Sequence, residues 1–294
     1  MKFIEMHLWI PMLTLYAIIV ASEALVFRFC LKKSYPWVDS LVSFGILLGS
    51  RVSEITTGFI IPLYIGGFLW EHRVCDAPSS GWLFYPLFFF SFEFCYYWYH
   101  RSLHERRFFW ATHSVHHSPV EVTTSTSSRT GWTPLSGLGS IFFLPLVSIG
   151  FKAQFVYFVF ALHTFIMFWV HTNWIPKLTW IEGILQTPSS HRVHHAINPE
   201  YIDKNFGGVL VIYDRLFGTY KPERDDIAIK YGLLDQPPSN NPFKIAFGPW
   251  GELGKDLCDA KGIVPRIRIL FGRQLPPARA SLSVSEKRSA KQSA

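Results

Sequence analysis

Charge is what this 294-residue sequence has least of. Asp, Glu, Lys and Arg make up 17% of it, where soluble domains carry about a quarter. Hydrophobic residues reach 49%, with 27 Phe, so the deficit argues for apolar surroundings over part of the chain. Cysteine is scarce as well. Cys30, Cys75, Cys95 and Cys258 show no C-x-x-C spacing, which excludes a disulfide framework and leaves a cysteine-based zinc finger without ligands. Cys95 sits in an apolar run and reads as packing. No G-x-G-x-x-G opens a βαβ unit, and H-E-x-x-H is absent. A built-in dinucleotide site and a zincin-type protease are thereby excluded. The net charge of +7 does not point to nucleic acid. The basic residues stand at the ends of apolar segments and in the tail, where they mark membrane orientation and meet anionic lipid.

The apolar segments predict a multi-pass, all-α membrane protein. Leu8–Phe27 is long enough to span a bilayer and has no cleavage site, so it reads as a retained anchor. Glu23 within it either faces a helix partner or lies near the interface. Arg28, Lys32 and Lys33 place the following side in the cytoplasm. Val38–Trp70 reads as one net crossing interrupted by Arg51 and Glu54, with Val38–Gly49 interfacial or re-entrant. A turn at 76–81 follows, and Trp82–Tyr99 returns to the basic side. Ser118–Thr133 reads as a loop or cap, and Leu135–Phe151 with Phe155–Val170 as an apolar hairpin. Tyr201–Tyr220 suggests a turn and a short strand-like piece. Residues 1–280 are expected to form a single membrane-embedded domain, with its polar part from Lys221 onward a cytosolic cap. Residues 281–294, which lack aromatics and periodicity, read as a disordered tail.

Histidine organises the rest. Ten of twelve histidines fall between His100 and His195, in the order H-x3-H (His100, His104), H-x2-H-H (His113, His116, His117) and H-x2-H-H (His191, His194, His195). Residues three and four apart share a helix face, so each H-x2-H-H is expected to aim three imidazoles at one point. Eight imidazoles exceed what one tetrahedral zinc accepts and suit two metal ions. A helix surface where histidines cluster, or a proton-sensing patch, is the competing reading. His163, within an apolar run, is either a core histidine or a ligand. His7 and His72 lie near membrane ends.

The clusters and their surroundings resemble the fatty acid hydroxylase/sterol desaturase superfamily of integral-membrane di-iron oxygenases. The resemblance runs over residues 83–220 and is carried by Phe94–His100, Phe109–His117 and Ser190–His195, then Asn198-Pro199, Tyr201–Asn205, Gly207-Gly208 and Asp214–Thr219. These stretches resemble the branch that contains alkylglycerol monooxygenase. The resemblance adds His171 to the ligands. It casts Glu93, where the family often has Asp, together with Asn198, Asp203 and Asp214, as groups that accept the free ring N–H of a ligand and orient it. Capping explains the last three as well. Arg129 matches a family arginine, whereas Val122–Ser125 departs from the pattern near Thr123, where Asn is usual.

The resemblance implies a membrane-bound di-iron enzyme that hydroxylates or desaturates a lipid C–H bond. It would use O2 and two electrons, with two iron ions as cofactor. The lipid would be a sterol, an ether lipid, a carotenoid or an aminolipid. A separate electron donor of ferredoxin, cytochrome b5 or reductase type would be required. The expected location is the bacterial inner membrane or the endoplasmic reticulum, with the histidines facing the cytoplasm. The alternative is a non-redox zinc hydrolase or metal-binding membrane protein. The first needs a general-base carboxylate beside its ligands, and a transporter places polar ligands near the bilayer midplane.

Overall fold

The computed structural model describes residues 2–57, 60–77, 81–234 and 236–273, and side chains throughout these except 2–12, 54–57, 60–63 and 134–137. The expected disordered tail, 281–294, lies outside the described residues. In chain order the helices are α1 (Lys2–Phe29), α2 (Trp37–Thr57), α3 (Ile60–Glu71), α4 (Phe84–Glu105) and α5 (Arg107–His117). They are followed by α6 (Leu144–Ser148), α7 (Ala153–Ile166), α8 (Pro188–His195), α9 (Ile212–Leu216), α10 (Pro242–Asp259) and α11 (Ile263–Phe271). Short 3-10 segments occupy Thr124–Ser128, Pro134–Phe143 and Met167–Val170. Among the described residues there is no strand, only three isolated bridges. The chain is all-α.

Burial, rather than intrinsic propensity, holds α4 together. Its run of Phe, Tyr and Trp has middling helix propensity, yet Phe88, Phe92 and Cys95 line one face. That face packs on Phe143, Leu146, Val147, Phe151 and Val156 from the segment around α6 and from α7. On other sides α4 leaves Tyr85, Phe89, Phe90 and Phe94 exposed, and α7 likewise leaves Phe158, Leu162, Phe165 and Ile166 exposed. Among the described residues one helical stretch, Ala153–Val170, is long and apolar enough to cross a bilayer.

Three stretches gain detail here. Val38–Gly49 is not a separate helix, because α2 runs unbroken through Arg51. Nothing in Ser50-Arg51-Val52-Ser53 breaks a helix, and Arg51 finds a partner. The strand-like piece in 201–220 is instead a turn, a single bridge between Leu210 and Leu185, and the short α9. Asp214 causes the curl by drawing in the amides of Phe206 (2.8 Å) and Gly207 (2.7 Å). Ser118–Thr133 is a loop with one 3-10 turn, as expected, but a largely buried one: Val122–Thr126, Ser128 and Arg129 are buried. Arg129 donates to Ser43 Oγ, Ser118 Oγ and Asp39, tying this segment to α2.

Glu23 faces partners. Only 2% exposed, its carboxylate accepts from Tyr35 Oη (3.1 Å), Thr124 N (2.9 Å), Thr124 Oγ1 (2.7 Å) and Thr172 Oγ1 (3.0 Å). It thereby fastens α1 to the residue beside His171. Glu23→Ala leaves four donors without an acceptor and should cost on the order of 3 kcal/mol. Denaturant unfolding in detergent reads the loss; unchanged stability would show that these bonds hold nothing.

Candidate metal centre

The helix ends converge on the histidines. Between α4 and α5 the chain breaks at Arg106, which is extended (φ −116°, ψ 120°). The break folds α5 back, so His113 faces His100 (Nε2 to Nε2 3.2 Å) and His117 lies against His104 (ring centroids 4.6 Å). Helix α8 begins at Thr187, whose hydroxyl accepts from Ser190 N at 3.1 Å, with Pro188 in the first turn. A threonine cap followed by proline is a start signal that the sequence carries openly. All eight residues of α8 are buried although most are polar. Such a helix is stable only if its polar atoms find partners.

Nine histidines form two adjoining groups. His100, His104, His113, His117 and His194 make one, and His116, His171, His191 and His195 the other; within each group the ligand atoms all lie within 4.8 Å of one another. The expectation that each H-x2-H-H serves one point is therefore wrong. The second motif sends His113 and His117 to the first group and His116 to the second. The third motif sends His191 and His195 to the second and His194 to the first. Helix geometry explains the split. At about 100° per residue, the third residue along lies about 60° to one side of the first and the fourth about 40° to the other. Each motif straddles the boundary, and rings from the two groups meet there, His117 on His195 at 4.3 Å. His163 joins neither group.

The donor atoms fit metal ions. His100 Nδ1–H donates to Phe206 O (3.0 Å), His171 Nδ1–H to Met167 O (3.1 Å) and His194 Nδ1–H to Lys204 O (3.0 Å). A carbonyl only accepts, so each ring carries its proton on Nδ1 and turns a bare Nε2 lone pair inward. The Nε2 atoms of His104, His117 and His194 are buried without any hydrogen-bond partner. In the second group His171 Nε2 stands 2.8 Å from His191 Nε2 and 3.1 Å from His116 Nε2, and His191 Nε2 stands 3.1 Å from His195 Nε2. Metal–nitrogen bonds of about 2.0–2.1 Å put neighbouring donors about 3 Å apart. Facing lone pairs at that spacing are what a bound cation resolves.

Electrostatics agree. Burial is the main cause that holds all nine imidazoles below the ordinary value of 6.5; for most of them neighbouring histidines deepen the shift. His171 falls to about 3 and His194 to about 4, each supported against further fall by its carbonyl partner. All nine are neutral at pH 7 and free to ligate. Because these folded-state values lie below the unfolded ones, the unfolded chain binds more protons at acid pH. Stability and metal retention should be full above about pH 6.5 and fall as the pH drops from there toward the folded values. Thermal melts of metal-free and metal-loaded protein between pH 8 and 5 test the sign. A melting temperature that rises on acidification would contradict it.

The four orienting groups end up in different places. Asp214 touches no histidine. It accepts from Phe206 N, Gly207 N and Thr219 Oγ1 and so fixes the Phe206 carbonyl that orients His100. Burial pushes its carboxyl up, and those three bonds oppose the rise. Asp203 Oδ1 lies 3.9 Å from His104 Nδ1. Glu93 does not reach a clustered histidine: it meets His163 Nε2 at 3.1 Å and accepts from Leu210 N at 2.8 Å. Gly208 passes so close that a Cβ there would strike both side chains. Asn198 fastens a distant turn, donating to Ala228 O and accepting from Lys230 N. Sequence reasoning passed over the carbonyls of Met167, Lys204 and Phe206. It also passed over Asn205, which bonds Ser190 O and Lys221 O from a left-handed conformation (φ 57°). The signal for Asn205 was present, since asparagine tolerates that region.

Comparison with known proteins decides the lineage. The fatty acid hydroxylase family profile matches residues 85–219, the stretch that contains all nine clustered histidines. The chain belongs to the fatty acid hydroxylase family. Alkylglycerol monooxygenase of Homo sapiens is 34% identical over 260 residues, covering 85% of this chain and 55% of the relative. The Xenopus tropicalis protein of that name is 35% identical over 257 residues, with the same coverage. A Delta(7)-sterol 5(6)-desaturase of Gibberella zeae is 24% identical over 226 residues, covering 74% of this chain and 62% of the relative. The chain thus spans little more than half the length of the alkylglycerol monooxygenases it matches. No solved structure matches.

Proposed function

We propose that this protein is a membrane-bound di-iron oxygenase that hydroxylates or desaturates a lipid C–H bond using O2 and two electrons. The observation that carries the reading is the donor set: two adjoining all-histidine groups with converging lone pairs. Two bound iron ions would supply O2 reduction and cleavage of an unactivated C–H bond. His100, His104, His113, His117 and His194 would hold one ion, and His116, His171, His191 and His195 the other. The backbone carbonyls at Phe206, Met167 and Lys204 keep the protons on Nδ1, so the lone pairs stay aimed inward. Burial keeps all nine rings neutral and keeps water from the reacting centre. Among the described residues neither group contains a carboxylate, which supports redox chemistry over the hydrolase alternative.

The exposed aromatic and aliphatic faces of α4 and α7 support embedding in a membrane. The basic residues at the end of α4 and just after it (Arg101, Arg106, Arg107) support a cytoplasmic site. Electrons would come from a donor of ferredoxin, cytochrome b5 or reductase type in this reading. The alkylglycerol monooxygenase relatives make ether lipids the first substrates to try, and the sterol desaturase makes sterols the next. Metal analysis of purified protein should give about two iron ions per chain, given two closed donor groups. Lipid profiling of a host with and without the gene should reveal an oxidised lipid. An unchanged lipidome alongside full zinc occupancy and hydrolytic activity would replace this reading with the hydrolase.

A further inference from the structure

Helix α11 is the one element in which no residue is buried among the described residues of the helices. Its sequence, Ile263-Val264-Pro265-Arg266-Ile267-Arg268-Ile269-Leu270-Phe271, is nonetheless mostly apolar. Ile263 is 68% exposed, Val264 54%, Ile267 50% and Phe271 49%. At roughly 100° per residue these four fall on one stripe about 100° wide. Arg268 borders one edge of the stripe and Arg266 lies beyond the other. Residues 260–273 contain Lys261, Arg266, Arg268 and Arg273 and no carboxylate. An apolar stripe flanked by arginines, in a segment (260–273) without a carboxylate, has the build of a helix lying in a bilayer surface.

Its mooring fits that placement. Phe271 packs on Phe108 at 5.7 Å, and Arg106 donates to Phe271 O at 2.8 Å. Both partners belong to the start of α5, next to the end of α4. Arg266 Nε donates to Leu257 O of α10, so one edge of α11 is fixed to the protein while Ile263, Val264 and Ile267 of the stripe stay exposed. Arg273 bonds Glu105, closing the far end. Contacts at Arg266, Phe271 and Arg273 thus hold α11 against the rest of the fold.

We propose that α11 is a membrane-surface helix whose apolar stripe enters the headgroup boundary and whose Arg266 and Arg268 contact anionic phospholipid. This rests on the membrane reading above and adds one docking element to it. Arginine stems can cover the stripe's edges while their guanidinium groups reach phosphate. Attraction of such a segment to anionic lipid is electrostatic and weakens with salt.

The test labels single cysteines with an environment-sensitive fluorophore, in a chain with the exposed Cys30, Cys75 and Cys258 replaced by serine. The buried Cys95 is left in place. Ile267→Cys reports the stripe, Pro265→Cys the opposite face of α11, and Phe158→Cys the exposed face of α7. The protein is reconstituted in phosphatidylcholine vesicles with or without phosphatidylglycerol, and a lipid-borne quencher is added. The label at 267 should shift to the blue and be quenched far more than the label at 265. The effect should be larger with phosphatidylglycerol and be lost in Arg266→Glu/Arg268→Glu. Equal quenching at 267 and 265, with 158 strongly quenched, overturns the inference and leaves the membrane reading standing. Shielding at 267 that is the same in both vesicles overturns the anionic-lipid contact. Self-quenching at 267 that grows with protein density, without lipid quenching, assigns the stripe to a second copy and overturns it too. If 158 is not quenched, the membrane reading falls and the inference falls with it.

Discussion

His194→Ala and His191→Ala should each remove metal from a different group, and each should reduce turnover by more than about 100-fold. Replacing even an outer partner of a ligand histidine costs about 10–100-fold in metal affinity or activity, so losing the ligand itself costs more. His194 lies in the five-histidine group and His191 in the four-histidine group, although they belong to one sequence motif. Iron content should fall from about two toward about one in either single variant, and toward zero in the double variant, because each closed donor set holds one ion. Membrane insertion should persist in all three, since the apolar faces that drive it are untouched. His72→Ala is the control: exposed, and in contact with Phe68 through its ring and the Phe68 carbonyl, it should leave iron and turnover unchanged. If both single variants emptied the same ion, or neither, the division of the motif between two groups would be wrong.

That division marks where sequence reading stopped. Spacing was enough to single out eight of the nine clustered histidines, because three such motifs follow one another and residues three and four apart share a helix face. Spacing could not assign them to ions, because the i+3 and i+4 residues diverge by about 100° and the boundary depends on what faces the helix. His171 stands alone in sequence and entered only through the resemblance; its place beside His116 and His191 needs the turn after Val170 and the Glu23–Thr172 bond.

The helices of the apolar runs (α1, α2 with α3, α4 and α7) were legible, and Thr187-Pro188 marks the start of α8; α10 and α11, in the stretch read only as a polar cap, were not. Segment 201–220 misled because Val209, Val211 and Tyr213 read as strand formers, while the buried Asp214 overrides them by gathering backbone amides. Glu93 misled in another way: its distance in sequence from His100 suggested a ligand partner, but the helix turns it toward α7 and His163. Asn198 lies just after a ligand in sequence and faces a different turn in space.

The reaction itself offers the most direct test. With reduced protein, lipid substrate and an electron donor, turnover should stop when O2 is withdrawn or the donor is omitted. Under 18O2 a hydroxylated product should carry the label, and in H2 18O under ordinary O2 it should not. A desaturated product would carry no label but would keep the requirement for O2. Glu105, the carboxylate next to a ligand in sequence, is held by Arg101 and Arg273, so no free base stands ready for hydrolysis there. Loss of all turnover without O2 is the result expected of a two-metal oxygenase; turnover that continues anaerobically would contradict it.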